Sequence, residues 1–184
     1  MTAAERWKLT NEDYRTHGDC QWGPGITHEV SGDGNLCGPG WIHVYTSPRL
    51  AVLLNPIHAA IESPVLWRVE CDGQHKADHG LKEGWTRVTT VEIVEAPVYS
   101  REQHVAFGIW CAAAVCVDPQ WCAWADGWIS GRDRSRARAA TAARAAAAAT
   151  AARAARAAAG AAGAAGTTTI DFDAIALRAL EWTP

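Results

Sequence analysis

A change of residue periodicity near Pro97 constrains this chain more than any other feature. Before it, apolar residues recur at every second position in short runs bounded by Gly and Pro, the pattern of half-buried strands. "WIHVYT" (41–46) and "VLWRVEC" (65–71) alternate, and "TRVTTVEIVE" (86–95) is rich in β-branched residues. One segment, "SPRLAVLLNPIHAAI" (47–61), instead has helical spacing, starts at Ser47 with Pro48 in the first turn, and is interrupted by Pro56. These runs predict a mostly antiparallel sheet crossed by one short helix. After Pro97 the pattern is helical: Ser100 and Gln103 form a capping box ahead of "VAFGIWCAAAVCV", Asp118-Pro119 opens "QWCAWADGWIS", and Gly131 stops it. Trp121, Trp124 and Trp128 fall on one face of that second helix, as a core-facing stripe or as a platform for a base or sugar.

The fold class that follows is α+β. A small, mostly antiparallel sheet covered by helices occupies residues 1–131, an Ala/Arg-rich helical extension 132–166, and a terminal helix 167–184. In the extension, Ala has the best helix propensity, so residues 134–159 predict a helix roughly 39 Å long. Its Arg residues form no single stripe and its apolar residues no heptad. Three readings stand for it: a solvated spacer, an Ala-faced element joining copies into a homo-oligomer, or a phosphate-neutralising nucleic-acid contact, which is the less favoured because no aromatics interleave with the Arg. In "TTTIDFDAIALRALEW", Phe172, Ile175 and Leu180 are expected to dock on the body.

Charge is unevenly divided. Residues 1–131 carry nine basic and sixteen acidic side chains, whereas 132–166 carry seven Arg and one Asp. No apolar run reaches the ~18 residues of a membrane span, and the N-terminus lacks the apolar centre of a signal peptide, so the expected location is cytoplasmic with no membrane partner. Six cysteines without a Cys-x-x-Cys pair read as reduced thiols. Cys20, His28, Cys37 and His43 are the donors a zinc ion would need, but their spacing lacks a short knuckle; no metal and no cofactor is expected. Cys37 then reads as a small buried apolar group and Gly38-Pro39-Gly40 as a tight turn. "DGQHKADHGLKEG" (72–84) reads as a polar loop whose His75, Lys76, His79 and Lys82 suit an anion, the more so if it faces Arg15 and His17. Phosphate loops, dinucleotide glycine fingerprints and hydrolase elbows do not occur.

Two resemblances extend this reading. Cys20, Gln21-Trp22, Gly25, Leu36-Cys37, Gly40-Trp41, His43 and Pro48 resemble the pattern of an uncharacterised domain of bacterial and phage proteins, over about residues 14–95, with Ile42 inserted between the aromatic and the His. Tyr14-Arg15, His17-Gly18, Tyr45-Thr46-Ser47 and the pair Glu92 and Glu95 are similar, in order, to the Arg, Ser-Thr-Ser and Glu blocks of ADP-ribosyltransferases. That second likeness implies a split sheet gripping NAD, with Arg15 on a phosphate, Ser47 shaping the nicotinamide pocket and a Glu directing transfer.

The leading expectation is a non-enzymatic accessory or interaction protein, phage-borne by the first resemblance. It binds a small anionic or nucleotide-like ligand, or a host protein, through Arg15, His17, Trp41, His43, Tyr45, Ser47, His75, Lys76 and Glu92. The alternatives are an NAD-using ADP-ribosyltransferase-like enzyme and a structural protein that oligomerises through its Ala-rich helix.

Overall fold

The computed structural model describes residues 4–116, 118–135 and 170–184. It is α+β, and its chain divides into two compact units, Met1–Val98 and Tyr99–Pro184. The division falls ahead of the two Trp-bearing helices. The Ala/Arg helix expected over 134–159 lies almost wholly outside the described residues.

In the first unit, strands β1 (Ala4–Thr10), β4 (Thr27–Glu29), β5 (Ile42–Val44), β6 (Val65–Asp78) and β7 (Lys82–Val94) form one sheet; β2 (Arg15–Thr16) and β3 (Cys20–Gln21) make a separate small hairpin. Every pairing is antiparallel. One edge of β7 is lined by β6, and the other is shared by β5, opposite residues 83–85, and β4, opposite 87–89. Just past β5, Tyr45 pairs with Trp7 of β1 through two main-chain hydrogen bonds of 3.0 and 2.8 Å. The order β1, β6, β7, β5 thus returns to β1, and the sheet closes into a small ring. Closure covers the edges of β1 and β5 that face each other, leaving β4 and the distal half of β6 as edges.

The ring encloses Trp22, Ile42, Val44, Trp67, Val69, Cys71, Trp85 and Val88. Directly opposed residues of an antiparallel pair share a face, so the partners of Trp67 and Val69 on β1, Lys8 and Arg6, share theirs. Thr10, fully buried, accepts a hydrogen bond from the Trp67 indole at 3.0 Å. The opposite face of β1 and β6 pairs Leu9 with Leu66. Both are buried, as are Leu50, Ala51, Leu53 and Leu54 of α1 (Pro48–His58), which packs on β1. Ser47 caps α1 by accepting from the Leu50 N–H, and the helix runs through Pro56 to end at His58.

Residues 72–84 are not a loop. They are the far ends of β6 and β7, paired from His75↔Trp85 to Asp78↔Lys82 across a tight turn at His79-Gly80. A bulge at Gly73, whose φ is +85°, carries the chain past one register shift, and the Thr86 hydroxyl accepts from the Gln74 N–H at 2.9 Å. This end of the hairpin is exposed at every position from 72 to 77, so no apolar alternation marks it as strand.

The segment between β4 and β5 folds back on itself, with the Gly32 N–H on the Gly40 carbonyl at 2.9 Å and the Trp41 indole N–H on the Gly34 carbonyl at 3.3 Å. A Cβ at Gly40 would sit 2.2 Å from the Asp33 carbonyl oxygen, a backbone atom unable to swing aside. Gly40→Ala is expected to lower stability by about 1–3 kcal/mol through this forced shift. A denaturant midpoint unchanged from the parent would disprove it.

The second unit packs α2 (Arg101–Ala113), α3 (Pro119–Ile129) and α4 (Phe172–Glu181). Both capping-box bonds form between Ser100 and Gln103, at 2.8 and 3.1 Å, and Asp118 accepts from the Trp121 N–H at 2.7 Å. Trp121, Trp124 and Trp128 are buried, so the stripe on α3 faces the core. On α4 the buried stripe is Phe172, Ala176 and Ala179, with Ile175 and Leu180 only half-buried. The small residues let α4 lie against α2, where the Tyr99 hydroxyl donates to the Ala176 carbonyl and the Gln103 amide to those of Leu180 and Trp182. Among the described residues no helix is long and apolar enough to cross a membrane.

Candidate functional site

The residues singled out in the sequence are distributed over several places in the first unit. Arg15 lies in the β2–β3 hairpin, donating to the Gln21 side chain at 3.1 Å and pairing with Asp19 at 3.6 Å; His17 is exposed beside it. Glu92 pairs across the sheet with Arg68 at 2.7 Å, and Arg68 also reaches Glu5 at 3.3 Å. Glu95 follows β7 and is exposed. Tyr45 is buried where the ring closes, and burial pushes its hydroxyl up to about 12. Ser47 is committed to capping α1. No hydrogen bond, ion pair or ring contact joins Arg15, His17, Tyr45 and Glu92 to one another among the described residues.

Four other candidates do gather, around the end of the β6–β7 hairpin. Lys76 places its ammonium 4.6 Å from the centre of the Trp41 ring and donates to the Gly34 carbonyl at 2.8 Å, while His75 stacks on Trp85 at 4.6 Å. His43 Nε2 donates to the Leu36 carbonyl, which fixes that nitrogen as the protonated one. The Lys76 and His43 bonds tie the 31–40 segment to β6 and β5. Gly84 makes room for it, since a Cβ there would stand 2.4 Å from the Leu36 side chain and 2.8 Å from Trp41.

Against this segment sits a group that sequence spacing could not locate. Lys82 is only 8% exposed, and its ammonium donates to the Cys37 thiol at 3.3 Å, its one hydrogen bond among the described residues. Sulfur is a weak acceptor, so a buried cation is left with little compensation. Cys37, expected to be a buried apolar group, is exposed instead, because it rides at the tip of the folded-back segment. Two imidazoles feel the Lys82 charge. Burial first, then Lys82, lowers His58; burial also lowers His43, opposed by its Leu36 bond and reinforced by Lys82 and Lys8. His58 stacks on Tyr45 at 6.1 Å, and its Nδ1 is buried with no hydrogen-bond partner among the described residues. His58 could have been noticed as a His closing the helix 47–61; nothing in the sequence connects it with Lys82.

The donors weighed for zinc separate. Cys20 Sγ and His28 Nε2 approach to 3.6 Å, whereas Cys37 meets Lys82 and His43 meets a carbonyl. No group of three His, Cys, Asp or Glu that could hold a metal occurs among the described residues.

Inside the ring lies a second buried lysine. Lys8 is 7% exposed, sits 4.6 Å from the Trp22 ring centre and donates to the His43 carbonyl at 3.3 Å. Burial lowers it to about 8, against the pull of the nearby Cys20 and Cys71 thiols. No protein family, curated protein or solved structure matches the chain.

Proposed function

We infer that the first unit is a non-enzymatic binding module that takes a small phosphate-bearing anion at Lys82. The observation that carries this reading is the Lys82 ammonium: nine-tenths buried, beside the exposed Cys37, with a thiol as its only acceptor among the described residues. An ion in this position is costly unless a charged or strongly accepting group meets it, and an anion oxygen would supply one. His58, which feels the Lys82 charge, adds a buried nitrogen with no hydrogen-bond partner among the described residues, and Lys76 is a second, exposed ammonium on the same hairpin. ADP-ribosyl transfer has no comparable support, because Arg15, Tyr45 and Glu92 engage separate partners.

The test is a thermal-shift titration of the full chain with inorganic phosphate and with a nucleoside diphosphate. At a tenfold excess over Kd, binding adds about 1.4 kcal/mol, a rise of several degrees. Lys82→Met abolishes the ligand-dependent part of the shift, and Arg15→Ala leaves it intact. No shift at millimolar ligand, or the same shift in Lys82→Met, removes the proposal.

A further inference from the structure

We propose that Cys37 and Lys82 form a covalent switch that closes in the presence of hydrogen peroxide. The inference uses the same pair as the anion-binding reading but concerns its chemistry toward an oxidant. Of the six cysteines, Cys37 is the exposed one, whereas Cys71 is buried and the other four are partly covered. The nitrogen of a nine-tenths buried lysine lies 3.3 Å from its sulfur. That nitrogen has no carboxylate to hold it elsewhere, since no ion pair engages Lys82 among the described residues. The segment bearing Cys37 is tied down at Gly32, Gly34 and Leu36 by main-chain and side-chain hydrogen bonds, so the two groups are held together rather than meeting by chance.

The chemistry proceeds in two balanced steps. The Cys37 sulfur attacks one oxygen of hydrogen peroxide; the O–O bond breaks, an S–O bond forms, and the departing hydroxide leaves as water with the thiol proton. Sulfur is oxidised by two electrons and the peroxide is reduced. The Lys82 ammonium gives up a proton to water reaching the pair from the exposed Cys37 side. Its lone pair then attacks Sγ; the S–N bond forms, the S–O bond breaks, and hydroxide departs as water with one amine proton. Thiol, amine and peroxide become a sulfenamide and two waters, just as sulfenic acids close onto other nitrogen nucleophiles. The bond removes the charge of Lys82, so anion binding is switched off until a thiol reductant cleaves it.

The full-length protein is treated with hydrogen peroxide and followed by intact mass and tryptic mapping. The expected result is a mass lower by two hydrogens, complete loss of cleavage after Lys82, and a joined peptide containing Cys37 and Lys82 that dithiothreitol separates. Cys37→Ser, a change at an exposed position, gives no joined peptide. In Lys82→Arg the oxidised Cys37 is captured by dimedone instead. Cys37 left unmodified, carried to sulfinic or sulfonic acid, or joined to a second chain in the parent protein overturns the switch. A joined peptide in a protein that phosphate never stabilises overturns only the anion reading; phosphate stabilisation without the joined peptide overturns only the switch.

Discussion

Glu83→Ala lowers the stability of the protein by about 3 kcal/mol, the lower end of the range for breaking a buried ion pair from one side. Glu83 receives two guanidinium bonds from Arg6, at 2.7 and 3.1 Å, and a third from the Trp85 indole at 2.7 Å. Its side chain is 10% exposed and that of Arg6 25%, and this residual solvation of Arg6 places the effect at the lower end. Burial alone would raise the Glu83 carboxyl; the bonds from Arg6 and Trp85 outweigh it and hold the carboxyl below its ordinary value. The sign follows from that direction. The contribution is fully present above the ordinary Glu range and is lost as pH falls through the depressed value. Glu83→Gln, which retains an acceptor for Trp85, loses less than Ala, and an apolar replacement of both Arg6 and Glu83 recovers most of the loss, since neither charge is then stranded. Chemical denaturation at neutral pH measures all three; a loss under 1 kcal/mol for Glu83→Ala would show the pair to be a surface contact in energetic terms.

The stability of the parent protein rises between pH 8 and pH 9, by about 0.5 kcal/mol, and Lys8→Met removes the rise. Lys8 titrates near 8 in the folded ring, against an ordinary value of 10.5. Between those values the unfolded chain holds a proton that the folded chain has released, so raising the pH favours folding. Two other groups oppose it. Burial raises Cys71 from 9.0 to about 12 and Tyr45 from 10.0 to about 12, and for both the folded state keeps a proton that the unfolded state loses. Cys71 cancels the Lys8 gain above pH 9, and with Tyr45 added stability falls above pH 10. In Lys8→Met the curve already falls slightly from 8 to 9, by about 0.4 kcal/mol, and the steeper decline above pH 9 remains. At neutral pH the variant is more stable by about 1–2 kcal/mol: a desolvation penalty on the order of 3 kcal/mol disappears, offset by the hydrogen bond lost at the His43 carbonyl. Melting temperatures across pH 7–11 decide this, and a parent curve already falling from pH 8 contradicts it.

Arg6 and Lys8 show where sequence reasoning reached its limit. "ERWKLT" offers Trp7 and Leu9 as an inward face and Arg6 and Lys8 as the solvent face, by simple alternation. In the closed ring both faces of β1 are used, one toward α1 and Leu66 and the other toward Trp22 and Glu83. Strand alternation assigns sides but carries no information about which sides water reaches. The distal hairpin was missed for the converse reason, since the mostly polar residues from 72 to 78 leave no apolar trace while the backbone, past the bulge at Gly73, still pairs with β7 from His75 to Asp78.

What the amino-acid sequence settled by itself is local. Ser47, Ser100 with Gln103, and Asp118 satisfy N–H groups within three residues of themselves, and Trp121, Trp124 and Trp128 recur at the helical period, so caps, element types and the α+β class follow from short-range geometry. The meeting of Cys37 with Lys82, 45 residues away, was decided only by the tertiary structure. It depends on Gly84 leaving space for Leu36 and Trp41, on β5 joining the free edge of β7, and on Tyr45 closing the ring at Trp7. Which side chains meet across such distances is set by packing and main-chain pairing over the whole unit, and no local periodicity encodes it.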